Sequence, residues 1–302
     1  MKLLFLSLIF TVSSCSYESP TLSRKTIAAD AKEEPTPIIA ETTNQEPVND
    51  QEPASQVVPA VRSSGGTGGP TGMNEISFTD SNGMSSTYKI NVPEDASVKV
   101  YGLHIHFHGD GGGGYRDFPN VETRHELMGV TVRAPSGNLR WGRGEGVAHS
   151  NYAQELIQNE IIKKYNINLD RIYFSGVSGG AYFLSGSFLP EYGNEYQSGA
   201  FLMCGGEAPR IDFQNPQAFQ NFRIHWQVTA GERTDIADSI QRSVAAYKSV
   251  LEQVNGDPQR QSIETIGSGG HCEFFEMPYT PGIQAMVDAK FKMILPLEEQ
   301  AL

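Results

Sequence analysis

From residue 74 onward the sequence predicts an α/β domain, with a mostly parallel central sheet, helices on both faces and no large cap domain. Strand-like and helix-like segments alternate along the whole stretch, as in chains that bury a parallel sheet between helices. The stretch 74–302 is 229 residues long, enough for one large core. The residues with reactive side chains also cluster just after strand-like runs, where parallel sheets bind their ligands.

The elements follow in order. Ile76–Thr79 and Ser86–Val92 flank Asp80-Ser81-Asn82-Gly83 and read as a hairpin. Val98–Phe107 and Val130–Ala134 read as strands. Tyr152–Tyr165 places apolar residues at 153, 156, 157, 161, 162 and 165, the 3.6-residue period of a helix face. Arg171–Ser175 is a short strand and Ala181–Leu189 a helix. Gly199–Cys204 and Ile224–Thr229 are strands. Ile236–Val254 is an amphipathic helix, apolar at 236, 240, 244, 247, 251 and 254. Ser262–Ile266 is the last strand and Gly282–Met293 the last helix.

Residues 1–15 read as an export signal. Met1-Lys2 is a short positive start, Leu3–Val12 an apolar run too short to span a bilayer, and Ser13-Ser14-Cys15 a small-residue end. Val12-Ser13-Ser14-Cys15 resembles a bacterial lipobox, which implies acylation of Cys15 and a lipid-anchored protein of the cell envelope, with the outer membrane or cell surface as its destination. Residues 16–73 hold seven of the 17 Pro and one aromatic, Tyr17, and end in Ser63-Ser64-Gly65-Gly66-Thr67-Gly68-Gly69. That composition buries too little apolar surface to offset chain entropy and reads as a disordered tether. The net charge of −12 argues against a nucleic-acid partner, since phosphate binding needs clustered positive charge. No apolar run after residue 12 reaches the roughly 18 residues of a membrane span.

The strand at 171–175 runs into Gly176-Val177-Ser178-Gly179-Gly180, and a helix follows. This is G-x-S-x-G in a strand–turn–helix setting, a nucleophile elbow. The turn is tight and leaves no room for side chains at Gly176 or Gly180. It holds the Ser178 hydroxyl above the sheet edge, at the positive end of a helix dipole. The strand at 98–107 ends in His108-Gly109-Asp110-Gly111-Gly112-Gly113-Gly114. In this setting the loop supplies one oxyanion-hole N–H, from Asp110 or Gly111, and Gly179 supplies the other.

A Ser hydroxyl needs a base. Of the seven His, only His271 has both the chain order and the strand-end position, just past the strand at 262–266. The third member should follow the strand at 224–229, where Gly231-Glu232-Arg233-Thr234-Asp235 offers Asp235 to orient the imidazole. Asp235 also stands where it would cap the next helix, and Glu232 and Asp238 are the alternatives.

These stretches, His108-Gly109, Asp170–Gly180, Gly231–Asp235 and Gly270-His271, resemble the α/β-hydrolases of the secreted polyhydroxyalkanoate-depolymerase and feruloyl-esterase type. Val177-Ser178-Gly179 stands where that group often has Leu-Ser-Ala. The resemblance implies an exported serine esterase without a cofactor, acting on acyl or feruloyl esters of polysaccharide or on polyester. An exported peptidase of the same fold and a non-catalytic carbohydrate-binding lipoprotein are the competing readings.

Smaller signals remain. His104, His106 and His108 alternate along one strand face, a pattern also used by metal sites. An H-x-H-x-D-H site would need His at 111, which is Gly, so the reading is a buried strand of hydrogen-bonded imidazoles with no metal. His108 is expected to brace the oxyanion loop at the substrate cleft, and Trp141 either offers a platform for a sugar or phenolic ring or packs in a loop. Residues 206–222 are expected to wall the cleft. Cys204 and Cys272 both fall at the active-site end, leaving a disulfide or two buried thiols as the outcomes.

Overall fold

Strand alternation becomes an eight-stranded sheet in the computed structural model, which describes residues 60–112, 115, 125–142, 145–196, 198–273, 282, 286 and 287. The strands are β1 (Gly72–Thr79), β2 (Ser85–Val92), β3 (Tyr101–Phe107), β4 (Leu127–Val132), β5 (Ile167–Val177), β6 (Gly199–Met203), β7 (Arg223–Val228) and β8 (Gln261–Thr265). Their order across the sheet is β1-β2-β4-β3-β5-β6-β7-β8. The hairpin β1–β2 joins β4 antiparallel, and β4, β3, β5, β6, β7 and β8 are all parallel. The hairpin turn is held by the Asp80 carboxylate, which accepts from the Asn82 and Met84 N–H groups.

Three helices cover one face. α1 runs through Gly146–Glu155, a π-helical stretch Leu156–Ile161, and Ile162–Lys164. It starts six residues before the apolar stripe at 152 because its first turns bury Gly146, His149 and Ser150, which carry no apolar period. α2 comprises Gly179–Phe183, the π-helical Leu184–Phe188 and Leu189–Tyr192. α3 spans Thr234–Gln253 and buries Ile236, Ile240, Val244, Tyr247 and Leu251, the face its spacing predicts. Between these helices and the sheet lies an aromatic-rich core. In it Phe107 touches Trp141 and Phe183, and Trp141 stacks on Phe183 at 4.7 Å between ring centres. A second cluster, Leu127, Tyr173, Phe201, Met203 and Cys204, lies on the opposite face and is closed by Met286. The helix expected at 282–293 lies outside the described residues except for 282, 286 and 287, and so do the export signal with Cys15 and the tether up to residue 59.

The last part of the expected tether is ordered. Arg62 pairs with Asp170 at 2.8 Å, Ser63 bridges Asn168, the Ser64 N–H donates to the Ile167 carbonyl, and the Ile167 N–H donates to Ser64 Oγ. A Cβ at Gly66 would lie 2.3 Å from the Tyr165 carbonyl oxygen, so this glycine is required for close approach. Residues 62–69 are thus a strap across the start of β5. Ordered contacts with the domain reach back to Arg62, ahead of residue 74.

The His strand is engaged with protein partners throughout. His104 Nε2 and His106 Nδ1 each lie 2.8 Å from Ser175 Oγ on the adjacent strand. His108 Nδ1–H donates to the Gly109 carbonyl, and its Nε2 accepts from the Ala134 N–H at 2.9 Å.

Burial pushes the imidazoles of His106, His108 and His149 below the ordinary histidine range, His106 furthest, with repulsion from His104 and His108 adding to its shift. Below about pH 6.5 the unfolded chain binds protons at these sites that the folded chain refuses. Their neutral state costs nothing above that pH, and stability falls as pH drops through it, by up to about 1.4 kcal/mol per pH unit for each group. Urea unfolding at pH 7.5 and 5.0 should show this loss, and His106→Asn, which keeps a donor toward Ser175, should lessen it. Equal pH slopes for the two proteins would exclude His106 as a source.

Candidate active site

The elbow is built by backbone contacts. Ser178 adopts φ 48° and ψ −114°, a region costly for a residue with a Cβ, and its N–H donates to the Met203 carbonyl at 2.9 Å. A Cβ at Gly180 would lie 2.0 Å from the Phe107 carbonyl oxygen, and one at Gly176 2.7 Å from the backbone of residues 180 and 181. The chain can therefore turn this sharply only with glycine on both sides, and the turn carries Ser178 out beyond the sheet edge.

Ser178 Oγ lies 2.9 Å from His271 Nε2. On the far side of the ring, His271 Nδ1 is 2.9 Å from both carboxylate oxygens of Glu232. Nδ1 therefore carries the hydrogen toward Glu232, and Nε2 presents its lone pair to the Ser178 hydroxyl. The Glu232 side chain is 1% exposed and that of His271 31%, so the acid sits deep and the imidazole opens to solvent. The Arg233 N–H donates to the same carboxylate at 2.8 Å.

Asp235 is not the partner of His271. It forms a two-pronged pair with Arg233, at 3.2 and 2.9 Å, and both side chains are 67% exposed. It stands in the first turn of α3, where a carboxylate complements the helix dipole, and the N-cap position is held by Arg233. Glu232, one of the alternatives, takes the inward place because the loops after β7 and β8 are tied together. Ala230 N–H donates to the Gly267 carbonyl, Gly231 N–H to the Gly269 carbonyl, and Thr229 Oγ1 to the Gly270 carbonyl. The sequence signals for Glu232 are that Asp235 stands at the start of a helix and has an arginine two residues away to claim it.

The oxyanion candidates separate as well. Gly111 N–H donates to the Leu139 carbonyl at 2.9 Å and is committed. The Asp110 N–H has no hydrogen-bond partner among the described residues, and its nitrogen stands 3.1 Å from where a Cβ on Gly179 would be. Gly179 opens α2, where its own N–H has no intrahelical partner. Both residues line the same cleft as Ser178.

A cleft of about 550 Å³ opens over Ser178 and His271, rimmed by Asp110, Arg140, Arg233 and Asp235. Trp141 lines its inner end but is only 4% exposed, held flat against Phe183, so it packs and is no open platform. His108 is fully buried and does not face the cleft, and it ties the loop after β3 to Ala134 instead. Residues 206–222 do not wall the cleft, because Phe213 and Phe219 pack against Tyr247 of α3. Cys204 and Cys272 are joined by a disulfide with Cα atoms 5.3 Å apart, and Cys272 Sγ is 3.6 Å from His271 Nε2.

No family model matches the sequence, and no curated protein matches it. Solved structures do. An acetyl xylan esterase from Aspergillus awamori aligns at a TM-score of 0.52 and 14% identity, over 66% of this chain and 94% of that one. A carboxylesterase from Bacillus cereus aligns at 0.50 and 17%, over 72% and 94%. The chain spans 55% of the length of a thermostable esterase it also matches, at a TM-score of 0.45 and 17% identity. With the strand order above, the first two likenesses establish the α/β-hydrolase fold.

The disulfide closes a separation of 68 residues and should contribute about 4 kcal/mol through the unfolded chain. Peptide mapping of unreduced protein should find Cys204 and Cys272 linked, and reduction should lower the melting temperature. Recovery of both as free thiols would contradict the bridge.

Proposed function

We propose that the protein is a serine-dependent carboxylic ester hydrolase. The observation that carries this reading is the relay from Ser178 Oγ through His271 to the buried Glu232, beside the Asp110 and Gly179 N–H groups, which have no partner among the described residues. Ser178 Oγ attacks the ester carbonyl carbon while His271 Nε2 takes the hydroxyl proton. The Glu232 carboxylate holds the ring's orientation and stabilises the imidazolium. The carbonyl oxygen gathers negative charge between the Gly179 and Asp110 N–H groups. The tetrahedral adduct collapses, the alcohol leaves with the proton from Nε2, and Ser178 keeps the acyl group. Water then repeats the sequence, with His271 as base, and releases the acid. None of these steps calls on a cofactor.

The substrate class we propose is an acyl or feruloyl ester carried on a polysaccharide, or a polyester. It rests on the motif resemblance, and a cleft rimmed by charged and hydrogen-bonding side chains suits a hydroxyl-rich partner. We also propose export and lipid anchoring through Cys15, on the strength of the lipobox-like sequence.

p-Nitrophenyl esters from acetyl to octanoyl and methyl ferulate should be turned over by the wild-type protein. Ser178→Ala should lower kcat by about 10⁴-fold or more, and Glu232→Gln by about 10³–10⁴-fold. Asp235→Asn should stay within about threefold, since an exposed pair contributes little. Activity surviving in Ser178→Ala, or a loss in Asp235→Asn larger than in Glu232→Gln, would overturn this assignment. Cleavage of anilides in preference to esters would favour a peptidase.

For the anchor, Cys15→Ala should move the protein from the membrane fraction to the soluble fraction. Unaltered membrane retention would argue against acylation at that residue.

A further inference from the structure

The oxyanion side of the cleft has a charge problem. A Cβ on Gly179 would lie 2.1 Å from Asp110 Oδ1, so the Asp110 carboxylate lies across the first residue of α2. The same residue supplies one of the two N–H groups that face the developing oxyanion. A carboxylate a few ångströms from that point repels the charge the N–H groups are there to hold.

Arg140 answers this. Its Nε lies 3.9 Å from Asp110 Oδ2, and it lines the same cleft. Its backbone is fixed at both ends by one side chain: Ser136 Oγ–H donates to the Arg140 carbonyl at 2.6 Å, and the Arg140 N–H donates to Ser136 Oγ at 2.8 Å. The same turn receives the Gly111 N–H at the Leu139 carbonyl, with Leu139 held at φ 54°. The turn 136–140 thereby fixes the loop that presents the Asp110 N–H and sets a cation against that residue's side chain.

We infer that Arg140 is a positioning residue of the oxyanion hole: it neutralises the Asp110 carboxylate so that the Asp110 and Gly179 N–H groups can hold negative charge. This rests on the serine-esterase reading. Arg140 is 63% exposed and Asp110 51%, so the pair adds little to fold stability, and its effect is felt in the transition state.

The test is a double-mutant cycle on p-nitrophenyl acetate hydrolysis, with 1,1,1-trifluoro-3-phenylacetone as probe. Ser178 Oγ adds to this ketone's carbonyl carbon as His271 Nε2 takes the hydroxyl proton, and the opened C=O bond leaves an oxyanion in the hole. Arg140→Gln should lower kcat roughly tenfold with KM unchanged, the order expected of one uncompensated charge near the oxyanion. The ketone's inhibition constant should rise by the same factor, and the melting temperature should hold. Arg140→Lys should recover most of the loss. Asp110→Asn keeps the backbone donor and removes the charge, so Arg140→Gln in that background should cost nothing further. An equal loss in both backgrounds, an effect on KM alone, or an unmoved inhibition constant would overturn the inference while leaving the esterase intact. Wild-type protein that ignores the ketone, or Ser178→Ala that retains activity, would overturn both readings.

Discussion

The site depends on one backbone constraint, the close approach of the elbow to the strand ends on either side. Ser178 can hold its positive φ, at a cost of about 1–3 kcal/mol, because its neighbours leave it no alternative. Its N–H is taken by Met203 at the end of β6, and Gly180 lies against the Phe107 backbone at the end of β3. A Cβ on Gly205 would sit 2.6 Å from the Ser178 carbonyl oxygen, so the chain leaving β6 also presses on the turn. The end of β6 is then a hub. Met203 holds the serine, and the next residue, Cys204, is bonded to Cys272 beside the imidazole. The Ser178 hydroxyl and the His271 imidazole are thus referred to the same two residues, which keeps a 2.9 Å contact between side chains 93 positions apart in register.

What was legible in the sequence is what local chemistry dictates. The strand, the glycines and the helix around Ser178 are one contiguous signal, and His271 follows from chain order and strand-end position. Glu232 was hidden because its inward turn depends on three hydrogen bonds between the loops after β7 and β8, and composition does not encode them. The glycines at 65–69 misled for a related reason. A glycine placed to let two backbones touch, as Gly66 does over Tyr165, has the same letter as a glycine in a flexible linker. Trp141 had a core partner in Phe183, five residues beyond Ser178, which no periodicity ties to it.

The cleft also shows how surroundings divide one chemical group among three tasks. Glu232, Asp235 and Asp110 are carboxylates gathered around Ser178 and His271. Glu232 is buried, so its charge is felt at close to full strength by the imidazole it orients. Asp235 stands in water with a guanidinium across both oxygens, and its field at the ring is screened.

Asp110 is the informative case, because its main chain and side chain pull in opposite directions. In the proposed oxyanion hole its N–H would favour negative charge, and its carboxylate would oppose it. The proposed mechanism needs the loop backbone at this point, whereas the side chain is a liability to it unless a cation is held nearby. Arg140 and Arg233 both line the same cleft, each set against a neighbouring carboxylate. With both exposed acids answered, Glu232 is the one carboxylate of the three without a guanidinium against it, and its charge is turned on the His271 imidazole.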